Sequence, residues 1–319
     1  MYNKPMKKSF ALTTIFAVAL LCSCTSAQNS ATQIYFDTAV SLSADCSDEV
    51  LSGAFLLCEK YENTLSRTKQ GSEVSLMSSG SLKASADTLE VINKGLYYSN
   101  LTAGRFDITT APLLDIWDFY KSEVPSNDEI SEALQNVDYH SVEISGDTVN
   151  TNGKRIDLGA IAKGYIADKL IGYFEDNNVK SGIINLGGNI AVFGDRYYNI
   201  GVKRPFYDDI SATLRLKNKC VSTSGIYERY FESNGVLYHH IIDTATGFPA
   251  ETDLLSASVV GDTSADCDAL STICILYGLT DAEKLIENTE NFEAVFIDKN
   301  YELHITSGLK TKGDVIVLR

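Results

Sequence analysis

The stretch Arg155-Ile156-Asp157-Leu158-Gly159-Ala160-Ile161-Ala162-Lys163-Gly164-Tyr165 restricts this chain more than any other. It reads as a strand that turns through small residues and runs into a helix. Apolar residues then recur at helical spacing (Ile161, Tyr165, Ile166, Leu170, Tyr173, Phe174), so the helix has one face that must be buried. A carboxylate, Asp157, sits at the turn, and Lys163 follows within the first helical turns. A helix N-terminus behind small residues suits phosphate, because free N–H groups and the positive end of the dipole point at it. Lys163 would add a point charge. Taken alone, the same pattern more often serves plain packing.

The start of the chain reads as an export signal. Lys4, Lys7 and Lys8 form a basic region, and Phe10 to Cys22 is an apolar run too short for a stable membrane anchor. Leu21-Cys22-Ser23-Cys24 resembles a bacterial lipobox with Cys24 as the lipidated residue. Ordinary cleavage near Ser26-Ala27 is the other reading. The expected organisation is a signal at 1–23, a polar tether at 24–33 and one catalytic domain at 34–319. Acyl chains on Cys24 would hold the protein on the extracytoplasmic face of the cell membrane. The net charge of −15 argues against nucleic acid and against an anionic membrane surface as partners. Cys46, Cys58, Cys220, Cys267 and Cys274 show no CxxC spacing and read as buried small residues, with a disulfide left open.

Along the chain, Ile34–Ser43 reads as a strand, and Glu49–Thr64 and Leu89–Thr102 as amphipathic helices around a polar loop. In Gly104-Arg105-Phe106-Asp107-Ile108-Thr109-Thr110-Ala111-Pro112, the proline suits the first position of a helix. Ser181–Gly194 reads as two strands joined through Gly187-Gly188. Val236–Asp243 reads as a strand whose alternation puts His239 and His240 on opposite faces. Asp262–Tyr277 is a helix stopped by Gly278, with Asp268 and Thr272 on one face at i and i+4.

Three blocks together resemble the ApbE family, the FAD:protein FMN transferases. They are Gly104 to Trp117; Asp157 to Tyr165 with Asn185 to Ile190; and Ser224 to Phe231 with Tyr238 to Pro249, followed by Asp268 to Thr272. The resemblance implies an α+β, ApbE-like (T-fold-related) single domain of mixed, largely antiparallel sheets with flanking helices. It implies a Mg2+-dependent transferase that takes FAD as substrate, releases AMP and joins FMN through its phosphate to a threonine or serine of an extracytoplasmic acceptor flavoprotein. The implied acceptor carries a segment like Asp-x-x-(Ser/Thr)-Gly-Ala-(Thr/Ser). By position, Asp157 and Lys163 would contact FAD. Arg105, Phe106 and Asp107 would line the flavin nucleotide pocket, and Ile242 would flank it. Ala160 would offer Mg2+ its carbonyl, and Asp268 and Thr272 their side-chain oxygens. His240 would be the base. Phe36-Asp37-Thr38 stands where the family often has Met-Gly-Thr, and Thr68 where a tyrosine is usual, so Phe36 and Thr68 fall at the pocket with altered stacking.

The chemistry is consistent with these residue types. So acidic a chain repels a pyrophosphate, and a hard cation held by one or two carboxylates and substrate oxygens is the usual remedy. Attack by a hydroxyl needs a base that is neutral near working pH, which suits histidine. An FAD pyrophosphatase and a non-catalytic flavin-binding lipoprotein remain as alternatives, and the set Asp268, Thr272 and His240 favours catalysis over storage. The nearest internal approach to the acceptor pattern, Ser52-Gly53-Ala54-Phe55, lacks the final hydroxyl and lies in a helical stretch, which argues against self-modification.

Overall fold

The computed structural model describes residues 28–319 apart from Ser79 and Tyr120. Its centre is an eight-stranded sheet in the order Asn29–Tyr35, Thr38–Ala44, Ser181–Leu186, Asn189–Gly194, Lys219–Gly225, Leu254–Gly261, Glu293–Asp298, Leu303–Ile305. Every neighbouring pair in it is antiparallel. The outer hairpin turns at Phe36 and Asp37, with φ of 54° and 56°, which is the doubly left-handed loop that matches strand twist. Residues 29–33, expected as a tether, are therefore part of the edge strand, where they pair with Val40 to Ala44. The signal and Cys24 lie outside the described residues.

Strand alternation divides the central strands cleanly. Ala191, Phe193, Cys220, Val259, Ala294 and Phe296 face the helices and belong to the large core. Their chain neighbours Val192, Val221, Val260 and Val295 face the other way, into a second core. That second core is closed by a four-stranded sheet, Leu309–Lys312, Val315–Leu318, Ile210–Leu216 and Tyr198–Lys203, absent from the sequence reading. Its one parallel pairing joins Val315 and Ile316 to Thr213 and Leu214.

The helix Ala162–Asp176 lies against helix Ser264–Tyr277, and both cover the sheet. Gly164 makes this possible, because a Cβ there would stand 2.2 Å from the Ser264 carbonyl oxygen. Asp168 caps the second helix from the first, accepting the Ser264 and Ala265 N–H groups at 2.7 and 2.9 Å. Helices Asp48–Leu65, Ala86–Leu101 and Asn127–Leu134 are each capped by a serine (Ser47, Ser85, Ser126) that accepts a first-turn N–H; the first starts one residue and the second three residues before the start read from the sequence. Arg155–Leu158 is not a strand. Its Asp157 N–H donates to the Ile108 carbonyl at 2.7 Å, which ties the segment to the Gly104–Thr110 loop instead of to a sheet. A third cluster gathers Leu113, Trp117, Ile130, Phe231 and Ile242. The five cysteines among the described residues are free.

Candidate functional site

Asp268 is the centre of the site. It is only 4% exposed, on the face of helix Ser264–Tyr277 that meets the sheet. Its Oδ2 accepts the Gly164 N–H at 3.0 Å, and its Oδ1 accepts from Asn189 Nδ2 at 3.2 Å and Ser222 Oγ at 3.3 Å. One helical turn on, the Thr272 hydroxyl meets Ser224 Oγ at 3.2 Å, and Ser224 also meets Ser271 at 2.8 Å. The pairing Ser222 with Asp268 and Ser224 with Thr272 is geometric. Two strand residues advance roughly 6.6 Å and four helical residues roughly 6 Å, so strand and helix stay in step. The expectation that Asp268 and Thr272 share one face holds, but Asp268 lies beneath the helix, not on an open surface.

Around this floor stand the charged and titratable groups. Lys163 donates to the Gly159 carbonyl at 3.1 Å, folding back over the turn that precedes its helix. The strand Val236–His239 ends one residue short of His240, whose N–H donates to the Arg229 carbonyl at 3.1 Å. His240 is half-buried, and its Nδ1 is fully shielded without a hydrogen-bond partner. Burial, with the nearby Arg229 cation, pushes its imidazole down to about 3, so it is neutral. His239 points elsewhere: its Nε2 donates to the Ala250 carbonyl at 3.0 Å and its Nδ1 accepts the Ile241 N–H at 3.3 Å. Glu228 keeps exposed surface, yet crowding by the protein raises its carboxyl toward neutrality against the pull of Lys163 and Arg229, with the Asp268 carboxylate adding to the rise. It stands at a cavity of about 350 Å3 between the two sheets, lined also by Gly188, Lys203, Thr223 and Tyr227.

Several residues expected to line the pocket hold the frame instead. Arg105 binds Asp243 Oδ2 through both Nη2 (2.6 Å) and Nε (3.1 Å) and donates to the Leu276 carbonyl at 2.5 Å. It thereby joins three segments: its own loop, the turn after His240 and the last turn of the Asp268 helix. The Phe106 ring is in the core against Tyr98, at 6.2 Å between ring centres, so it does not line an open pocket. Asp107 is buried, and its oxygens accept from Thr109 N–H and hydroxyl at 2.7 Å each and from Tyr139 N–H at 3.1 Å; its carboxylate organises the loop. Ile242 is buried beside Trp117 in the third cluster. Thr68 is exposed and bonds Ser66, whereas its neighbour Arg67 reaches Asp157 and Asp115, each at 2.6 Å. Asp157 also accepts the Gly159 N–H at 2.7 Å. Phe36, in its left-handed turn, has its N–H on Glu62 at 2.7 Å.

The family model of the ApbE family matches residues 34–296. The chain belongs to the ApbE family. Among curated relatives, a protein of Treponema pallidum named FAD:protein FMN transferase is 30% identical over 298 residues, covering 84% of this chain and 82% of that one. One of Klebsiella pneumoniae with the same name is 31% identical, covering 82% and 86%. Among solved structures, the ApbE protein of Thermotoga maritima superposes with a TM-score of 0.81 at 27% identity, covering 88% of this chain and 97% of that one. The Vibrio cholerae flavin transferase ApbE shares the fold, with a TM-score of 0.77 at 22% identity.

In this ApbE chain the floor suits a hard divalent cation. Asp268 is a buried carboxylate whose hydrogen-bond partners, Gly164, Asn189 and Ser222, are all neutral. The amide oxygen of Asn189 beside it is shielded and has no donor. Gly164 gives its N–H to Asp268 and not to Ala160, whose carbonyl would be the i−4 partner in a regular helix. All of these are oxygen donors, which Mg2+ prefers. Sequence reasoning passed over Asn189, Ser222, Ser224, Gly164 and Glu228. All lie inside or beside the motif blocks, and the usable signal was alternation: Ser222 and Ser224 follow Cys220 on the one face of strand Lys219–Gly225 that meets the helix.

Proposed function

We propose that this protein is an FAD:protein FMN transferase, which moves FMN from FAD to a hydroxyl side chain of another protein and releases AMP. The observation that carries the reading is the similarity, over four fifths of the chain, to relatives bearing that name. The site supports it. An acceptor hydroxyl forms a new P–O bond to the FMN phosphorus while the bond to the AMP oxygen breaks. His240 is neutral, as the base that accepts the hydroxyl proton must be, and its Nδ1 has no partner to displace once acceptor binding uncovers it. The low basicity of the free site is set by burial and Arg229, and an anionic nucleotide beside the ring would raise it. Lys163 supplies positive charge at the mouth of the helix. Asp268, Thr272 and the Ala160 carbonyl would hold Mg2+, which when bound neutralises pyrophosphate charge. Arg105 and Asp107 keep the surrounding segments in register.

The test is incubation with FAD, Mg2+ and an acceptor domain bearing an Asp-x-x-(Ser/Thr)-Gly-Ala-(Thr/Ser) segment. Covalent flavin fluorescence on a denaturing gel and stoichiometric AMP are expected. AMP without labelled acceptor would make the protein a pyrophosphatase, and neither product would defeat both readings. We further propose that residues 1–23 are removed and that lipid on Cys24 anchors the enzyme on the extracytoplasmic face. Cys24→Ala should then release it from membranes, and unchanged retention would refute the anchor.

A further inference from the structure

Next to the site lies a surface that the transfer chemistry does not use. The loop between strands Tyr198–Lys203 and Ile210–Leu216 presents Phe206 (37% exposed) and Tyr207 (47%). Tyr230 (41%) and Tyr301 (40%) complete an exposed aromatic shelf. The rings touch one another edge to face: Phe206 meets Tyr230 at 5.2 Å and Tyr227 at 6.0 Å, and Tyr207 meets Tyr301 at 5.8 Å. The Arg204 guanidinium lies 4.1 Å from the Tyr207 ring centre and 5.4 Å from that of Tyr301, which holds this ring pair together.

Two features show that the shelf is maintained at a cost. Phe206 and Tyr301 both sit in the left-handed region, at φ of 64° and 62°. That conformation is uncommon for bulky side chains: asparagine, which tolerates it, holds five of the other non-glycine positions with positive φ, and the remaining aromatic residue there, Phe36, sits in the two-residue turn of the edge hairpin. The carboxylate of Asp298 enforces the second of these turns by accepting the Asn300 and Glu302 N–H groups at 2.8 and 2.9 Å. Strain is thus spent to aim two rings at solvent. In addition, the shelf runs straight into the site. Tyr227 belongs to both, Glu228 and Arg229 follow it, and the Arg229 carbonyl holds the His240 N–H. The chain is strongly acidic overall, yet cations border this path at Lys203, Arg204 and Arg229. Arg204 is matched by Asp209 at 3.4 Å, a surface pair of little strength.

Resting on the transferase reading, we propose that this aromatic shelf docks the acceptor protein. The segment it fits is a loop whose hydroxyl residue is flanked by apolar and acidic side chains, laid over the rings so that the hydroxyl enters beside His240. Exposed tyrosine, phenylalanine and arginine in one patch are the residues that dominate protein recognition.

The experiment compares the full protein with Phe206→Ala/Tyr301→Ala, using FAD, Mg2+ and the acceptor domain described above. Initial rates of covalent transfer are measured against acceptor concentration, and FAD affinity separately by flavin fluorescence. The acceptor KM should rise by about tenfold or more, with FAD affinity unchanged. Phe206→Gly/Tyr301→Gly should do the same with equal or higher thermal melting, since glycine accepts that backbone freely. A wild-type acceptor KM in both variants overturns the proposal. So does a parallel loss of FAD affinity, which would make the shelf a nucleotide wall. If the unaltered protein neither labels the acceptor nor releases AMP, the transferase reading falls and the shelf falls with it.

Discussion

Replacing Asp268 by asparagine separates the two jobs of this carboxylate. Without Mg2+, two effects oppose each other. The amide oxygen can still accept from Asn189 and Ser222, but the amide NH2 then faces the Gly164 N–H, and a charge-assisted bond of 3.0 Å is lost. Such a loss costs about 1.5–3 kcal/mol. Against it, an ion with no cationic hydrogen-bond partner at 4% exposure no longer needs to be buried, which is worth several kcal/mol in the other direction. The terms nearly cancel, so the metal-free variant should melt within a few degrees of the parent. With Mg2+ the two proteins should part. A ligand at one hundred times its Kd stabilises a fold by about 2.7 kcal/mol, roughly 4–5 °C for a domain of this size. The parent should show that rise on adding Mg2+ and the variant should not. Transfer should fall by about 10²–10³-fold at Mg2+ levels that saturate the parent, the usual scale for removing one preorganised electrostatic contact. The assays are differential scanning fluorimetry across a Mg2+ titration, and AMP release across the same series. A variant that keeps the parental Mg2+-dependent rise in melting would place the cation elsewhere. A large fall in metal-free melting would mean that the carboxylate is chiefly structural.

His240→Ala should lower transfer by about 10²–10⁴-fold with little change in FAD affinity, whereas His239→Ala should lower stability more than rate, because His239 carries two buried hydrogen bonds; equal small effects on rate would remove His240 from the chemistry. Gly164→Ala should cost about 1–3 kcal/mol or more in denaturant unfolding, since its Cβ would overlap the Ser264 carbonyl and push the two helices apart, and a parental midpoint would show that the helices can slide. Acid should weaken the fold through His239. Burial holds its folded-state imidazole at about 4, below the usual 6.5, so the unfolded chain takes up the proton first and stability falls as pH drops between those values, by about 3 kcal/mol in all. Asp168, raised by burial to about 6, works in the opposite sense over part of that range. The check is therefore the difference in slope between the parent and His239→Gln, and identical slopes would refute the assignment.

Much of this arrangement was legible because period and spacing survive folding. Asp268 and Thr272 share a face, Gly187-Gly188 turns a hairpin with φ of 61° and 103°, and Gly278 ends its helix at φ 75°. The second sheet was not legible, although Tyr198–Lys203 alternates buried and exposed residues without a fault. That strand pairs with the nearby Ile210–Leu216, but the next strand over, Val315–Leu318, lies about a hundred residues further along the chain, and no local pattern announces so distant a pairing. The motif residues divide in a way their letters do not reveal. Arg105, Phe106 and Asp107 stand consecutively in one block, yet one clamps three segments, one fills the core and one folds its own loop. Burial separates these cases, because a buried polar group whose hydrogen bonds are all made has nothing left to offer a substrate. At the site the atoms left unpartnered are His240 Nδ1 and Asn189 Oδ1, with the carboxylate of Asp268 held only by neutral groups beside them; Asn189 comes from the second block and the other two from the third. The motif blocks therefore mark a frame that brings a few unsatisfied atoms together, and polar residues such as Arg105, Asp107 and Thr109 are spent on holding that frame still.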